Sequence, residues 1–311
     1  MVLNFEIVSM GIKELVDSYT FKYGEGSCQH SFASSFTLKD KYGDMFCEYN
    51  DFLYTLRSRK NTGTERVYLF PHGDISNLQS LRDAIVNIFN DAHEHNATVK
   101  FETLTEKAKN LIITLFPNKF TVEGNRNFSE YIYEVEKLIN YPGPELAYKR
   151  RDFQRFCRDY KGRVIPVEIT CNNVGEVKQF QREWLRIKLS KVYDNEHYEQ
   201  IINEDKGIQI ALDNFSQLGL TGIMIKIDGE IKGYAYGVKL SEDYIDEINE
   251  NCFHNVPNIY PFIKHEFARL CCKGYKYLNF EEDVGALELR AAKNHYKPAF
   301  LINKFILREV I

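Results

Sequence analysis

Apolar positions along this chain recur with two periods, and the changes from one period to the other divide it into short elements. In MFCEY and FLYTLRS alternate residues are apolar, which predicts two strands, and Asn50-Asp51 between them is hairpin turn chemistry. From Asn77 to His93 the apolar residues Leu78, Leu81, Ile85, Ile88 and Phe89 fall near i, i+3 and i+7, which predicts a helix packed on a sheet. Around these the first half reads as a strand from Asn4 to Ser9 and helices at Ile12 to Tyr19 and Ser31 to Tyr42. A strand at RVYLFP, a strand from Thr98 to Leu104 and a helix from Glu106 to Leu115 complete it. The second half repeats the order. It has a strand at Arg163 to Thr170, helices at Val174 to Leu189 and Glu196 to Gln217, and a hairpin across Asp228-Gly229. A strand at Asp243 to Cys252, a helix at Pro261 to Cys272 and a strand at Lys276 to Phe280 follow. A helix near Ala286 to His295 and a closing strand at Phe300 to Glu309 end the chain.

No identity links the halves at a fixed offset, so the repeat is one of architecture. The expected division is a first domain over 1–126, a connector strand and basic helix over 127–162, and a second domain over 163–311 that carries the site. A length of 311 residues accommodates two cores of about 150 residues each.

Composition narrows the partners. The chain is 44% hydrophobic and 27% charged, ordinary for a globular protein, and 40 Lys and Arg against 44 Asp and Glu leave a net charge of −4. There is no global basic field, so any RNA or anionic lipid contact must be local. Seven scattered cysteines show no C-x-x-C pair and no Cys/His metal spacing, which suits reduced thiols and gives no reason to expect a metal. MVLNFEIVSMGIKEL lacks a basic n-region and a long apolar h-region, and Leu111 to Phe116 is too short to span a bilayer. The expectation is a cytoplasmic protein, peripheral to a membrane at most, with no transmembrane insertion.

Chemistry concentrates in NFEEDVGALELRAAKNHYKP, Asn279 to Pro298. Glu281, Glu282 and Asp283 form an acidic turn at a strand end, and Asp283 is placed to cap the following helix. Arg290 and Lys293 are i, i+3 neighbours, a cationic pair able to hold an anionic ligand; the ordinary alternative is a solvated helix face. A second feature is LAYKRRDFQRFCRDYKGR, in which Arg151, Arg155 and Arg158 line one side of a helix. They are candidates for tRNA phosphates or anionic lipid headgroups, beside the alternative of a solvent-facing linker. Gly233 admits close approach of a ligand or marks a bulge, Glu266 reads as exposed, and Trp184 as core.

The Asn279 to Pro298 stretch resembles the signature of the DUF2156 family, proteins similar to the C-terminal catalytic domain of phosphatidylglycerol lysyltransferases. The matching positions are Glu282, Asp283, Gly285, Leu289, Arg290, Lys293, Tyr296 and Pro298. CQHSFASSF, VYLFPHGD and the connector also resemble family segments, and the repeated element order resembles two GNAT N-acyltransferase folds in tandem. The resemblance implies an α/β chain of two GNAT-like domains, each a mixed, mostly antiparallel sheet flanked by helices. It further implies an acyltransferase that passes an aminoacyl group from aminoacyl-tRNA to an amine or hydroxyl on a lipid or small molecule. On that reading Glu282 or Asp283 positions or deprotonates the acceptor and Tyr296 donates a proton. Arg290, Lys293 and Gly233 then hold the donor.

GNAT-like folds grip a CoA pyrophosphate with a glycine-rich loop, and the corresponding loop here, Asn251 to Phe262, has no glycine. A CoA thioester is therefore the less favoured donor, and no cofactor is expected. Two alternatives stand beside transfer from tRNA: a non-catalytic GNAT-like module that binds a ligand or partner, and a CoA-dependent N-acetyltransferase. The chain departs from the family pattern at Phe280, where an arginine is usual, at Asp246 to Cys252, and at His295.

Overall fold

A computed structural model describes residues 3–310. The chain forms two compact units. Unit 1 holds the residues up to Glu130, Glu282–Leu287 and those from Leu301 onward; unit 2 holds Tyr131–Glu281 and Glu288–Phe300. These differ from the expected boundaries. The connector's strand and helices lie inside unit 2, and two C-terminal segments belong to unit 1.

The strands are β1 Glu6–Ile7, β2 Asp44–Tyr49, β3 Phe52–Arg57, β4 Glu65–Tyr68, β5 His72–Gly73, β6 Thr98–Leu104, β7 Phe120–Gly124 and β8 Glu130–Glu134. Then come β9 Val164–Glu168, β10 Thr221–Ile227, β11 Glu230–Lys239, β12 Tyr244–Cys252, β13 Tyr277–Asn279, β14 Phe300–Ile302 and β15 Phe305–Glu309. Helices are α1 Lys13–Tyr23, α2 Phe32–Thr37, α3 Lys39–Tyr42, α4 Leu78–Glu94, α5 Glu106–Leu115 and α6 Val135–Asn140. They continue with α7 Ala147–Asp159, α8 Val174–Leu189, α9 Asn195–Asp213, α10 Ile259–Cys271 and α11 Leu287–Asn294.

The first sheet runs β1-β2-β3-β4-β6-β15-β7, with β5 also on β3, and β4–β6 is parallel. The second runs β14-β8-β13-β12-β11-β10-β9, with β12–β13 parallel. Both hairpins form as the sequence predicts. Asn50 and Asp51 have φ 48° and 61° between Tyr49 and Phe52, and Asp228 and Gly229 have φ 53° and 84° between Ile227 and Glu230. Two positive-φ residues in a two-residue loop match the right-handed twist of the strands they join.

Helix α4 starts where Asn77 accepts from the backbone N–H groups of Gln79 and Ser80 at 3.0 and 3.2 Å. It buries Leu81, Ala84, Ile85, Ile88 and Ala92 in the unit 1 core with Phe101, Ile112 and Leu307. Fully burying each large apolar side chain stabilises by about 1.5–3 kcal/mol.

The ends of the chain correct the expectation. The strand foreseen from Asn4 to Ser9 shrinks to Glu6–Ile7, and Phe120–Gly124 is a strand not foreseen. The closing strand from Phe300 to Glu309 is two strands in different sheets, broken at Asn303-Lys304, where Lys304 turns its side chain inward and is 2% exposed.

Candidate functional site

In unit 1 the acidic turn is held by a buried polar network. Glu282, half-buried, accepts from Gln29 Nε2 at 2.5 Å and from the Cys28 thiol at 3.6 Å. Gln29 in turn accepts from Arg57 Nη2 at 3.0 Å. Arg57, 2% exposed, stacks over Tyr42 at 4.1 Å and lies 3.6 Å from its cross-strand partner Asp44. Burial raises the Asp44 carboxyl, and the Arg57 charge opposes the shift. The Glu282 carboxylate is thus fixed through Gln29 by a guanidinium that packing holds in place.

Beside it Glu130 accepts from Ser27 Oγ at 2.9 Å and from the Cys28 backbone N–H at 3.2 Å, and pairs with Lys304 Nζ at 2.7 Å. His30 and His72 meet edge to face with ring centroids 4.7 Å apart, and both rings are buried. Burial pushes both imidazoles down, His72 to about 4, so both are neutral near pH 7.

Asp283 is not a helix N-cap. Its Oδ1 accepts from Gly285 N–H at 2.9 Å and its backbone carbonyl from Ala286 N–H at 2.8 Å, while its Oδ2 lies 3.3 Å from Arg126. Fully buried, it closes a turn ahead of the helix, because Val284 at φ 45° breaks the helical path. A β-branched residue in that region costs about 1–2 kcal/mol, which the Asp283 bonds offset.

The remaining signature residues lie in unit 2. Arg290 and Lys293 share α11, both half-buried. Lys293 Nζ donates to the Phe280 carbonyl at 2.5 Å, and its backbone carbonyl accepts from the Tyr133 hydroxyl at 2.7 Å, so this lysine ties α11 to the end of β13. Tyr296 is 4% exposed, with Lys149 Nζ 4.1 Å from its ring centre. Burial pushes its phenol well above the usual range, so it keeps its proton at neutral pH.

Gly233 does not open toward a ligand. A Cβ there would meet Cys252 Sγ at 2.4 Å and the Asn251 carbonyl at 3.2 Å, so its close approach is to β12. Glu266 is buried, not exposed. It binds Arg269 Nη2 at 2.5 Å and His265 Nδ1 at 2.9 Å, and these partners outweigh burial and lower its pKa. Trp184 is half-buried and donates to the Cys252 carbonyl at 3.1 Å.

On α7, Phe153 and Phe156 stack on Phe262 at 5.9 and 4.5 Å, which turns Arg151, Arg155 and Arg158 outward, all three exposed. Arg158 reaches its neighbour Asp159 at 3.0 Å. Sequence reasoning passed over Gln29, Arg57, Glu130 and Lys304. The available signals were an arginine ending the apolar strand FLYTLR and a lysine inside the apolar run FLINKFIL. No helix among the described residues is long and apolar enough to cross a membrane.

The family model described as phosphatidylglycerol lysyltransferase, C-terminal, matches residues 20–308. No functionally curated protein matches the sequence. Among solved structures, a conserved protein of unknown function from Bacteroides thetaiotaomicron is similar at TM-score 0.89 and 23% identity, over 99% of this chain and 100% of that one. The DUF2156 C-terminal domain of a protein assigned as a lysylphosphatidylglycerol synthetase from Agrobacterium fabrum gives 0.66 and 12%, over 96% and 92%. L-PGS from Bacillus licheniformis gives 0.63 and 16%, over 95% and 91%. The fold is GNAT-like, two mostly antiparallel sheets flanked by helices.

Proposed function

The chain belongs to the family of phosphatidylglycerol lysyltransferase C-terminal domains, and from that premise we propose that it is an aminoacyltransferase. The donor is an aminoacyl-tRNA, and the acceptor is an amine or hydroxyl on a lipid or small molecule. The observation that carries this reading is the family match over 20–308, which takes in nearly all of both units. The site geometry supports it. Acyl transfer needs a fixed group to orient the acceptor, and Glu282 is a half-buried carboxylate held by Gln29. Asp283 shapes the turn that presents Glu282. Arg290 contacts donor phosphate, while Lys293 and Tyr296 position α11 and the residues after it.

The outward face of α7, with Arg151, Arg155 and Arg158, contacts tRNA phosphates by counterion release, and an anionic lipid surface would be met by the same charges. A CoA donor is disfavoured because residues 253–258, between β12 and α10, contain no glycine to let pyrophosphate approach the backbone.

The test supplies purified protein with bulk tRNA charged with a mixture of radiolabelled amino acids, in the presence of polar-lipid vesicles or a pool of small amines. Label passing into the organic or small-molecule fraction, dependent on charged tRNA, is the expected result. No label in either fraction, together with acetyl transfer from acetyl-CoA, would overturn the reading.

A further inference from the structure

The second sheet carries an irregularity with chemical consequences. Gly237 of β11 pairs with Glu247 of β12, while the preceding Tyr236 pairs with Asn249, so Ile248 is an extra residue. In a regular strand Glu247 and Glu250, three positions apart, would project from opposite faces; one bulged residue returns them to the same face. Gly237 permits this, since a Cβ there would lie 1.8 Å from the Asp246 carbonyl oxygen.

Both carboxylates converge on Lys264 of α10, whose Nζ is 2.9 Å from Glu247 Oε1 and 2.9 Å from Glu250 Oε2. The side chains of Glu247, Glu250 and Lys264 are 5%, 9% and 13% exposed, and the ammonium lies 3.9 Å from the Phe280 ring centre.

Two buried carboxylates share one ammonium, an excess of one negative charge in a site walled by aromatic rings. Such a charge is neutralised most cheaply by a proton. Burial first, and then the Glu247 carboxylate within hydrogen-bonding reach, push Glu250 up to about 8, against the opposing pull of Lys264. Lys264 itself is raised, because the two carboxylates outweigh its burial.

The other titratable groups that interact with the pair are Lys149 from α7, whose pKa burial lowers, and groups that burial keeps neutral. Those are the phenols of Tyr133, Tyr141, Tyr260 and Tyr296 and the thiols of Cys252, Cys271 and Cys272. The Tyr296 hydroxyl and Glu247 Oε2 are buried with no hydrogen-bond partner, which leaves bonding capacity for a small polar group.

We propose that Glu247 and Glu250 hold one proton between them beside Lys264, and that this pair serves as the proton relay of unit 2 during acyl transfer. As the acceptor nitrogen or oxygen forms its bond to the acyl carbon, its proton passes to the carboxylate pair. As the donor's ester C–O bond breaks, the proton passes on to the leaving hydroxyl oxygen, and the pair returns to its starting state. This role rests on the aminoacyl-transfer reading; the shared proton does not.

The test is a carboxyl-carbon NMR titration of the full chain labelled at glutamate Cδ, between about pH 5 and pH 10, with transfer rates measured in parallel. One glutamate signal titrating near 8 and lost in both Glu250→Gln and Glu247→Gln is expected. With it, kcat/KM falls by about 10²-fold in Glu250→Gln, and the rate loses the limb that falls through that pH, where the wild-type pair gives up its shared proton. A wild-type chain with no glutamate titrating above about pH 6 overturns the shared proton without recourse to any variant. A Glu250→Gln protein that keeps the wild-type rate and pH limb overturns the relay. A wild-type chain that titrates as expected but transfers no aminoacyl group overturns the proposed function, and the relay with it, while leaving the proton-holding pair in place.

Discussion

Replacing Lys304 by methionine removes an ammonium from the interior of unit 1 with little change of shape. Lys304 and Glu130 have side-chain exposures of 1% and 0% and approach to 2.7 Å. With so little solvent near the pair, no screening discount applies to the charge left behind. Without Lys304, Glu130 retains the Ser27 hydroxyl and the Cys28 backbone N–H, two neutral donors for a buried carboxylate. Breaking one side of a buried pair costs about 3–5 kcal/mol, because the surviving charge must be desolvated alone or protonated. At roughly 2–4 °C per kcal/mol for a unit of this size, that is a fall in Tm of about 6–20 °C.

The double variant Lys304→Met with Glu130→Gln removes the orphaned charge; the amide oxygen can accept from the Cys28 N–H while the amide NH2, in place of the second carboxylate oxygen, donates to the Ser27 hydroxyl. It should recover most of the loss. Urea unfolding followed by circular dichroism at pH 7 reads all three proteins. A single variant that loses less than about 1 kcal/mol, or a double variant no more stable than the single, would refute the claim that the pair is held by mutual charge compensation.

Other perturbations follow from the same geometry. His30 and His72 are buried neutral and the unfolded chain protonates them below about 6.5, so stability falls as pH drops from there toward 4. His72 alone contributes about 3 kcal/mol over that window; urea midpoints at stepped pH should show the loss, and His72→Gln should flatten it. Gly237→Ala should cost about 3 kcal/mol or prevent folding by overpacking the bulge, whereas Gly175→Ala, exposed on α8 with open space around it, should stabilise by up to about 1 kcal/mol; paired thermal melts decide. Glu282→Gln should lower kcat/KM for transfer about 10²-fold with an unchanged melting temperature, and equal rates would remove the residue from the site. Charge reversal at Arg151, Arg155 and Arg158 should weaken tRNA binding and reduce its salt slope by about 2 without altering stability; an unchanged slope in a filter-binding titration would exclude the helix.

The elements were largely legible because local rules govern them. Alternation marked β2, β3 and β6, the 3.6-residue period marked α4 and α8, and turn residues marked both hairpins. Legibility failed where long-range pairing decides. Phe300 to Glu309 is apolar enough for one strand, and nothing local reveals that its two ends join different sheets. Asp283 has cap chemistry, but the left-handed Val284 behind it displaces the helix start to Leu287. Glu266 reads as exposed because it is charged; its partners His265 and Arg269 are local, one and three residues away on the same helix, and what the sequence does not reveal is that this helix face is buried. The buried network of Gln29, Arg57, Glu130 and Lys304 draws on positions more than two hundred residues apart, a distance over which sequence periodicity carries no information.

The signature itself shows the limit of contiguity as an argument for a site. Its twenty residues read as one constellation, yet Glu282 and Asp283 belong to the core and hydrogen bonds of unit 1, and Arg290, Lys293 and Tyr296 to those of unit 2. These groups therefore owe much of their orientation to partners that the motif does not contain, Gln29 and Arg126 for the acids and Tyr133 for Lys293, whose ammonium also reaches the Phe280 carbonyl inside the motif. A substitution at Asp283 loads the turn bonds and Arg126 of unit 1, whereas one at Tyr296 loads the aromatic packing beside Lys264 in unit 2. Neighbours in the motif should for that reason show near-additive effects on stability, as independent sites do. Coupling beyond about 0.5 kcal/mol in an Asp283→Asn, Tyr296→Phe cycle would show that the motif acts as one energetic unit after all.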